Sequence, residues 1–185
     1  MLLSCFDFNQ EGESNEIDLK DDDATAIEKM FEFIYSRRLA PMDDILEVME
    51  LVWLAINIYQ VADKYDVPDL LELAPQILKI YLENWADLCL GDCICDDEYR
   101  IEVNENIMKD FGEIVQRVYA VTGGKTSCSF REALVNTTQT YDQFRIMEPR
   151  GPFSSLAVHA AKGCHEFGKD MFLSLMEYSS LVIAS

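Results

Sequence analysis

The chain has 185 residues, 49% of them hydrophobic, which is enough to bury one core of fair size but not several. Its 34 acidic and 15 basic side chains leave a formal net charge of -19. A surface of that sign repels phosphate backbones, which argues against nucleic acid as a direct partner, while the same charge is only weak evidence for a basic one, because it also serves solubility.

The opening Met1-Leu2-Leu3-Ser4-Cys5-Phe6 is apolar but has no basic stretch before it and soon meets Asp7, Asn9 and Gln10, so no secretory signal is expected. The six cysteines are accordingly expected as reduced thiols in the cytoplasm, the nucleus or both. Ile17-Asp18-Leu19 alternates like a short strand. Asp21-Asp22-Asp23 then offers side-chain acceptors and negative charge to the start of a helix. In that helix Ile27, Met30, Phe31, Ile34 and Tyr35 recur at the spacing of one helical face.

After a turn with Arg37, Arg38 and Pro41, an apolar segment runs from Ile45 to Ala62. Its longest unbroken stretch, Leu51 to Ile56, is far shorter than the roughly 20 residues of a membrane-spanning helix, and no membrane partner is expected. Met49, Val52, Ile56 and Tyr59 share one stripe, but Leu46, Trp53, Leu54, Ile58 and Val61 lie elsewhere, so the helix is central or faces a partner. Trp53, Leu54 and Ile58 are the candidate contacts, with ordinary core as the competing reading.

Val67-Pro68 begins the next helix, since proline in the first turn loses no needed donor. Leu70, Leu71, Leu73, Ile77, Leu78, Tyr81 and Trp85 give it a broad apolar face, and Pro75 is expected to kink or interrupt it. From 87 to 106 acids and cysteines replace the periodic pattern, and a linker is placed there. Ile107, Phe111, Ile114, Val115 and Val118 then form a stripe ended by Thr122-Gly123-Gly124. Residues 130 to 135 read as helix, Glu148-Pro149-Arg150-Gly151-Pro152 as a break, and Phe167, Met171, Phe172 and Leu175 as the apolar face of a last helix. The fold class expected is mainly α, with very little strand.

Two blocks in this order carry a resemblance. Glu13-Ser14-Asn15-Glu16-Ile17-Asp18-Leu19 leads through the acidic turn to Ala26-Ile27-Glu28-Lys29-Met30-Phe31-Glu32-Phe33-Ile34-Tyr35, and the second block is Tyr59-Gln60-Val61-Ala62-Asp63-Lys64-Tyr65-Asp66-Val67-Pro68-Asp69-Leu70-Leu71-Glu72-Leu73-Ala74. Together they resemble the BTB/POZ domain of the fungal type over residues 13 to 86. More weakly, Phe111 to Tyr119, Phe130 to Val135 and Glu166 to Asp170 resemble the helical extension of such proteins. The resemblance implies the helical portion of an α+β BTB/POZ domain at 13–86, an acidic Cys-containing linker at 87–106 and a helical extension at 107–185, after an N-terminal segment at 1–12. The family's first strands and first helix would precede residue 10, so a truncated start is expected.

The resemblance further implies a protein-interaction module without catalytic centre or cofactor. Its partners would be other proteins: a second copy where the N-terminal part exists, and for some members a cullin, as substrate adaptor of a ubiquitin ligase. Glu13 would belong to the partner-binding set. Cullin-binding members carry an apolar residue two positions before that glutamate, and Glu11 stands there instead, which argues against cullin.

Other chemistry is weaker. Cys89, Cys93 and Cys95 among Asp92, Asp96 and Asp97 supply zinc-compatible ligands at a spacing that is not a zinc signature, so a small metal-binding regulatory protein is the alternative, beside a non-functional remnant of a BTB gene. The expectation is that they bind no metal. His159 and His165 are the chain's two histidines, and neighbours such as Cys164 and His165 diverge by about 100 degrees on a helix, so adjacency makes no dyad. Gly123-Gly124-Lys125-Thr126 lacks the first glycine and the preceding strand of a phosphate loop.

Overall fold

The computed structural model describes residue 19 and residues 21–40, 47–90, 105–123, 128–143 and 152–183. Among the described residues the protein is mainly α, with seven helices and no strand. The strand expected at Ile17 to Leu19 lies outside them except for Leu19, which packs against the core.

The three aspartates at the start divide their work. Asp23 caps α1 (Ala24–Ser36), its Oδ1 accepting from the Ala26 N–H at 2.8 Å. Asp22 turns away to accept from Lys64 Nζ at 2.8 Å and from the Tyr65 hydroxyl at 2.6 Å, tying the entry of α1 to the end of α2 (Val48–Lys64). The first helix does not bury the expected face. Ile27 and Met30 go inside together with Ala26 and Phe33, whereas Phe31 and Tyr35 stay exposed. Small Ala26 lies on the same arc as Met30 and Phe33, and the burial centres on that arc rather than on the far side, where Phe31 and Tyr35 lie.

The second helix has core residues on several faces, from Leu51 and Val52 to Val61 and Ala62, because α1, α3 (Pro68–Leu90) and α4 (Glu105–Thr122) all pack on it. The turn into α3 closes through Asp66 at φ 52, with the Val67 N–H returning to the Ala62 carbonyl at 2.9 Å. That bond satisfies a carbonyl at the helix end, and aspartate is among the few residues that tolerate the left-handed conformation. Pro75 lies inside α3 without interrupting it, as the helix runs on to Leu90. The neighbours that bury Ala74, Ile77 and Leu78 hold the helical path across the missing N–H.

The second half comprises α4, α5 (Ser129–Gln143), α6 (Pro152–Gly163) and α7 (His165–Ile183). α5 packs on α3, α6 on α4, and α7 on α6 and α5. Residues 87–90 belong to α3 and residues 105 and 106 to α4, so the expected linker is shorter at both ends, its remaining part lying outside the described residues. The two halves share one apolar core running from Ala26 to Met171. Tyr59 of α2 stacks on Phe130 of α5 at 4.2 Å between ring centroids, and Trp85 of α3 faces Phe111 of α4 at 6.0 Å. Phe167 of α7 meets Phe111 and Tyr119 edge-on at 6.2 and 6.1 Å, in the T-shaped geometry that aromatic quadrupoles favour.

Candidate interaction surface

The contacts proposed from sequence lie in different places. Glu13 is outside the described residues, as is Glu11. Leu54 and Ile58 are 4% and 0% exposed inside the core, so they have no surface for a partner and behave as ordinary core. Trp53 is half-buried and packs against the same cluster.

Large exposed apolar side chains gather instead on α7. Phe167 and Met171 turn into the core, and Gly168 faces α6 so closely that a Cβ there would lie 3.1 Å from the Ala161 Cβ. With that side committed inward, the helical repeat turns Phe172, Leu173 and Met176 outward, Phe172 being 61% and Met176 57% exposed, while Leu175, one turn beyond Met171 on the inward stripe, is 41% exposed. Phe172 and Leu175 were expected on the buried face. Four apolar residues within two turns form a contiguous patch rather than the isolated exposed residues that any surface carries.

Beside this patch runs a groove of about 430 Å³ between α5 and α7, with Val135 and Leu173 as apolar walls and Arg131, Glu132, Asn136 and Asp170 among its polar ones. Its floor is held by a polar junction of α4, α5 and α7. Arg131 Nε donates to Thr122 Oγ1 at 2.6 Å and its Nη2 to the Gly123 carbonyl, while the guanidinium lies 4.3 Å from the Tyr119 ring centroid and 3.4 Å from the Glu166 carboxylate. The Tyr119 hydroxyl donates to Asp170 Oδ2 at 2.6 Å. Burial first, then that carboxylate, pushes the phenol far above its ordinary value, so it stays a donor. Further along, Ser174 donates to Gln139 Oε1 at 2.9 Å, pinning α7 to α5. The Arg131 charge is thus engaged from several sides, and Glu132 and Asp170 line the groove with negative charge.

Cys128 is buried at one end of the groove, 3.5 Å from the Tyr59 hydroxyl. Cys89 is half-buried, and burial together with the Asp110 carboxylate pushes its thiol up, away from nucleophilic character. Cys93 and Cys95 are outside the described residues. Among the described residues no three histidine, cysteine or acidic side chains come together as a metal site. Cys164 is half-buried, and His165 and His159 are exposed. No helix among the described residues is long and apolar enough to cross a membrane.

Comparison of the chain with protein-family models, with curated proteins and with solved structures gives no match.

Proposed function

We propose that this chain is a protein-interaction module whose contact surface is the outward face of α7 and the adjoining α5/α7 groove. The observation that carries the reading is the exposure of Phe172, Leu173, Leu175 and Met176 within two turns of one helix, whereas the other exposed large apolar residues among those described, Phe31, Tyr35, Ile80, Leu88 and Val158, are spread over α1, α3 and α6. Water does not favour such a patch, and covering it by a partner returns the hydrophobic free energy left unrealised in the free chain.

In this reading the chain is a BTB/POZ-like protein that works by bringing other proteins together, in the cytoplasm or nucleus and without a catalytic step. The ordered resemblance of residues 13–86 supports it, and so does the compact turn at Tyr65-Asp66-Val67-Pro68, which joins α2 and α3 as a packed helical pair. The test is affinity capture from native cells with the wild-type chain and a Phe172→Ser/Met176→Ser variant, read by mass spectrometry. Proteins retained by the wild type and lost by the variant, with the variant's circular dichroism unchanged, are the expected result. Identical protein sets from both chains would sink the reading. A cullin among the proteins lost would add the adaptor role implied by the resemblance, despite Glu11.

A further inference from the structure

Resting on that reading, we infer that the occupant of the α7 face is a basic amphipathic helix of another protein. Helix-in-groove recognition needs an apolar seam to take side chains at helical spacing and polar groups on its rim to set orientation and sign. Phe172 and Met176 stand one turn apart on the seam, and Leu173 belongs both to the exposed patch and to the groove wall, so seam and groove are continuous.

The charges select the partner. Glu132 and Asp170 face the groove, and Glu166 lies one turn before Asp170. Of the cations nearby, Arg131 is 8% exposed and engaged by Thr122, the Gly123 carbonyl, the Tyr119 ring and Glu166, which leaves its charge little reach. Lys169 sits one turn before Leu173, at the start of the seam, with His165 a further turn back. Beyond the rim the whole chain carries -19 and attracts an approaching cationic surface while repelling a second copy of itself. Apolar seam and acidic field are both matched by a helix with leucine-like residues on one side and lysine or arginine along its flanks.

The test uses the full chain and two fluorescein-labelled probe peptides of about five helical turns, one patterned from leucine and lysine, the other from leucine and glutamate in the same order. Fluorescence anisotropy should show binding of the lysine peptide, weakened by added salt, and none of the glutamate peptide. Phe172→Ser/Met176→Ser should weaken it by about tenfold or more, Glu132→Gln/Glu166→Gln by a few-fold, and Ile80→Ser, an exposed apolar site on α3, not at all. Equal binding of the lysine peptide to wild type and to the Phe172/Met176 variant would overturn the inference, since the attraction would then be the general acidic field. Equal binding of both peptides would overturn the charge assignment. A wild-type dimer in sedimentation that the Phe172/Met176 variant abolishes would give the face to a second copy. The cell capture asks whether this face binds protein at all and the peptide pair asks the partner's charge, so each can fail without the other.

Discussion

Arg131 carries a cation into a site where 8% of its surface remains exposed, and what it gains there comes mostly from neutral groups. Its Glu166 partner is 62% exposed and is returned to water at little cost if the pair is broken. The Thr122 hydroxyl, the Gly123 carbonyl and the Tyr119 ring lose more. Hydrogen bonds from a charged donor and a cation–π contact, offset by the burial cost of the guanidinium, leave a net effect of about 1–3 kcal/mol. Arg131→Met should lower stability by about that much in urea unfolding, and Arg131→Lys should recover less than half, because an ammonium cannot serve the fork of acceptors and the ring at once. Full recovery by lysine would reduce the residue to a point charge. At the other end of the molecule, the Lys64 ammonium first and the Tyr65 hydroxyl second hold the Asp22 carboxyl below the usual carboxylate range. A depressed value in the folded state means stabilisation that is complete above the unfolded value of about 4 and lost as pH falls through the folded one. Asp22→Asn should therefore be less stable than wild type at neutral pH, with the gap closing below about pH 4. A gap undiminished at pH 2 would assign the effect to packing instead of charge.

Within α3, Pro75 removes the N–H that would bond the Leu71 carbonyl, and the helix persists because Leu70, Ala74, Ile77 and Leu78 are locked into the core on either side. Pro75→Ala restores that donor and improves helix propensity by up to about 3 kcal/mol, less up to about 1 kcal/mol of entropy returned to the unfolded chain. The variant should be more stable by about 1–2 kcal/mol in thermal unfolding, and a loss of stability would mean that the proline ring itself is a packing element. The same helix shows what local pattern can and cannot say. Its start at Pro68 was legible, because proline in the first turn has a local cause. Its course through Pro75 was not, because the forces that hold it are tertiary. The central position of α2 was legible from apolar residues on several faces. For α1 and α7 the apolar residues span an arc wider than any one neighbour covers, so periodicity identified the helices without choosing which part is buried. Phe31 and Tyr35 on α1, and Phe172 on α7, fell on the outer side of that arc, while Leu175 lies on the inward stripe of α7 and is still exposed. The groove itself was illegible for another reason. Its walls lie about 40 residues apart in the chain, and only the packing of α5 on α7 brings Val135 and Leu173 together. The available signal was a surplus of large apolar residues on α7 over what one buried side could take.

At the scale of the whole molecule, the continuous core makes a claim about cooperativity. Both tryptophans, Trp53 and Trp85, lie in α2 and α3, so their fluorescence reports the first half, whereas far-ultraviolet circular dichroism reports every helix. Leu156 is fully buried on α6, which packs on α4, α5 and α7. Leu156→Ala removes buried methyl groups and leaves a cavity, a loss of about 2–5 kcal/mol against a total of about 5–15 kcal/mol for an ordinary domain. If Trp85 on Phe111 and Tyr59 on Phe130 couple the halves, tryptophan fluorescence and circular dichroism should follow one transition in the wild type. Leu156→Ala should then move both midpoints down together, although the deletion is remote from either indole. Two halves joined only by a linker would behave differently: the fluorescence midpoint would stay in place while the circular dichroism curve split into two steps. The stacked aromatic pairs bridge the halves at two separate places, α2 to α5 and α3 to α4, so local loosening around α6 costs contacts in both directions and is passed on to the first half.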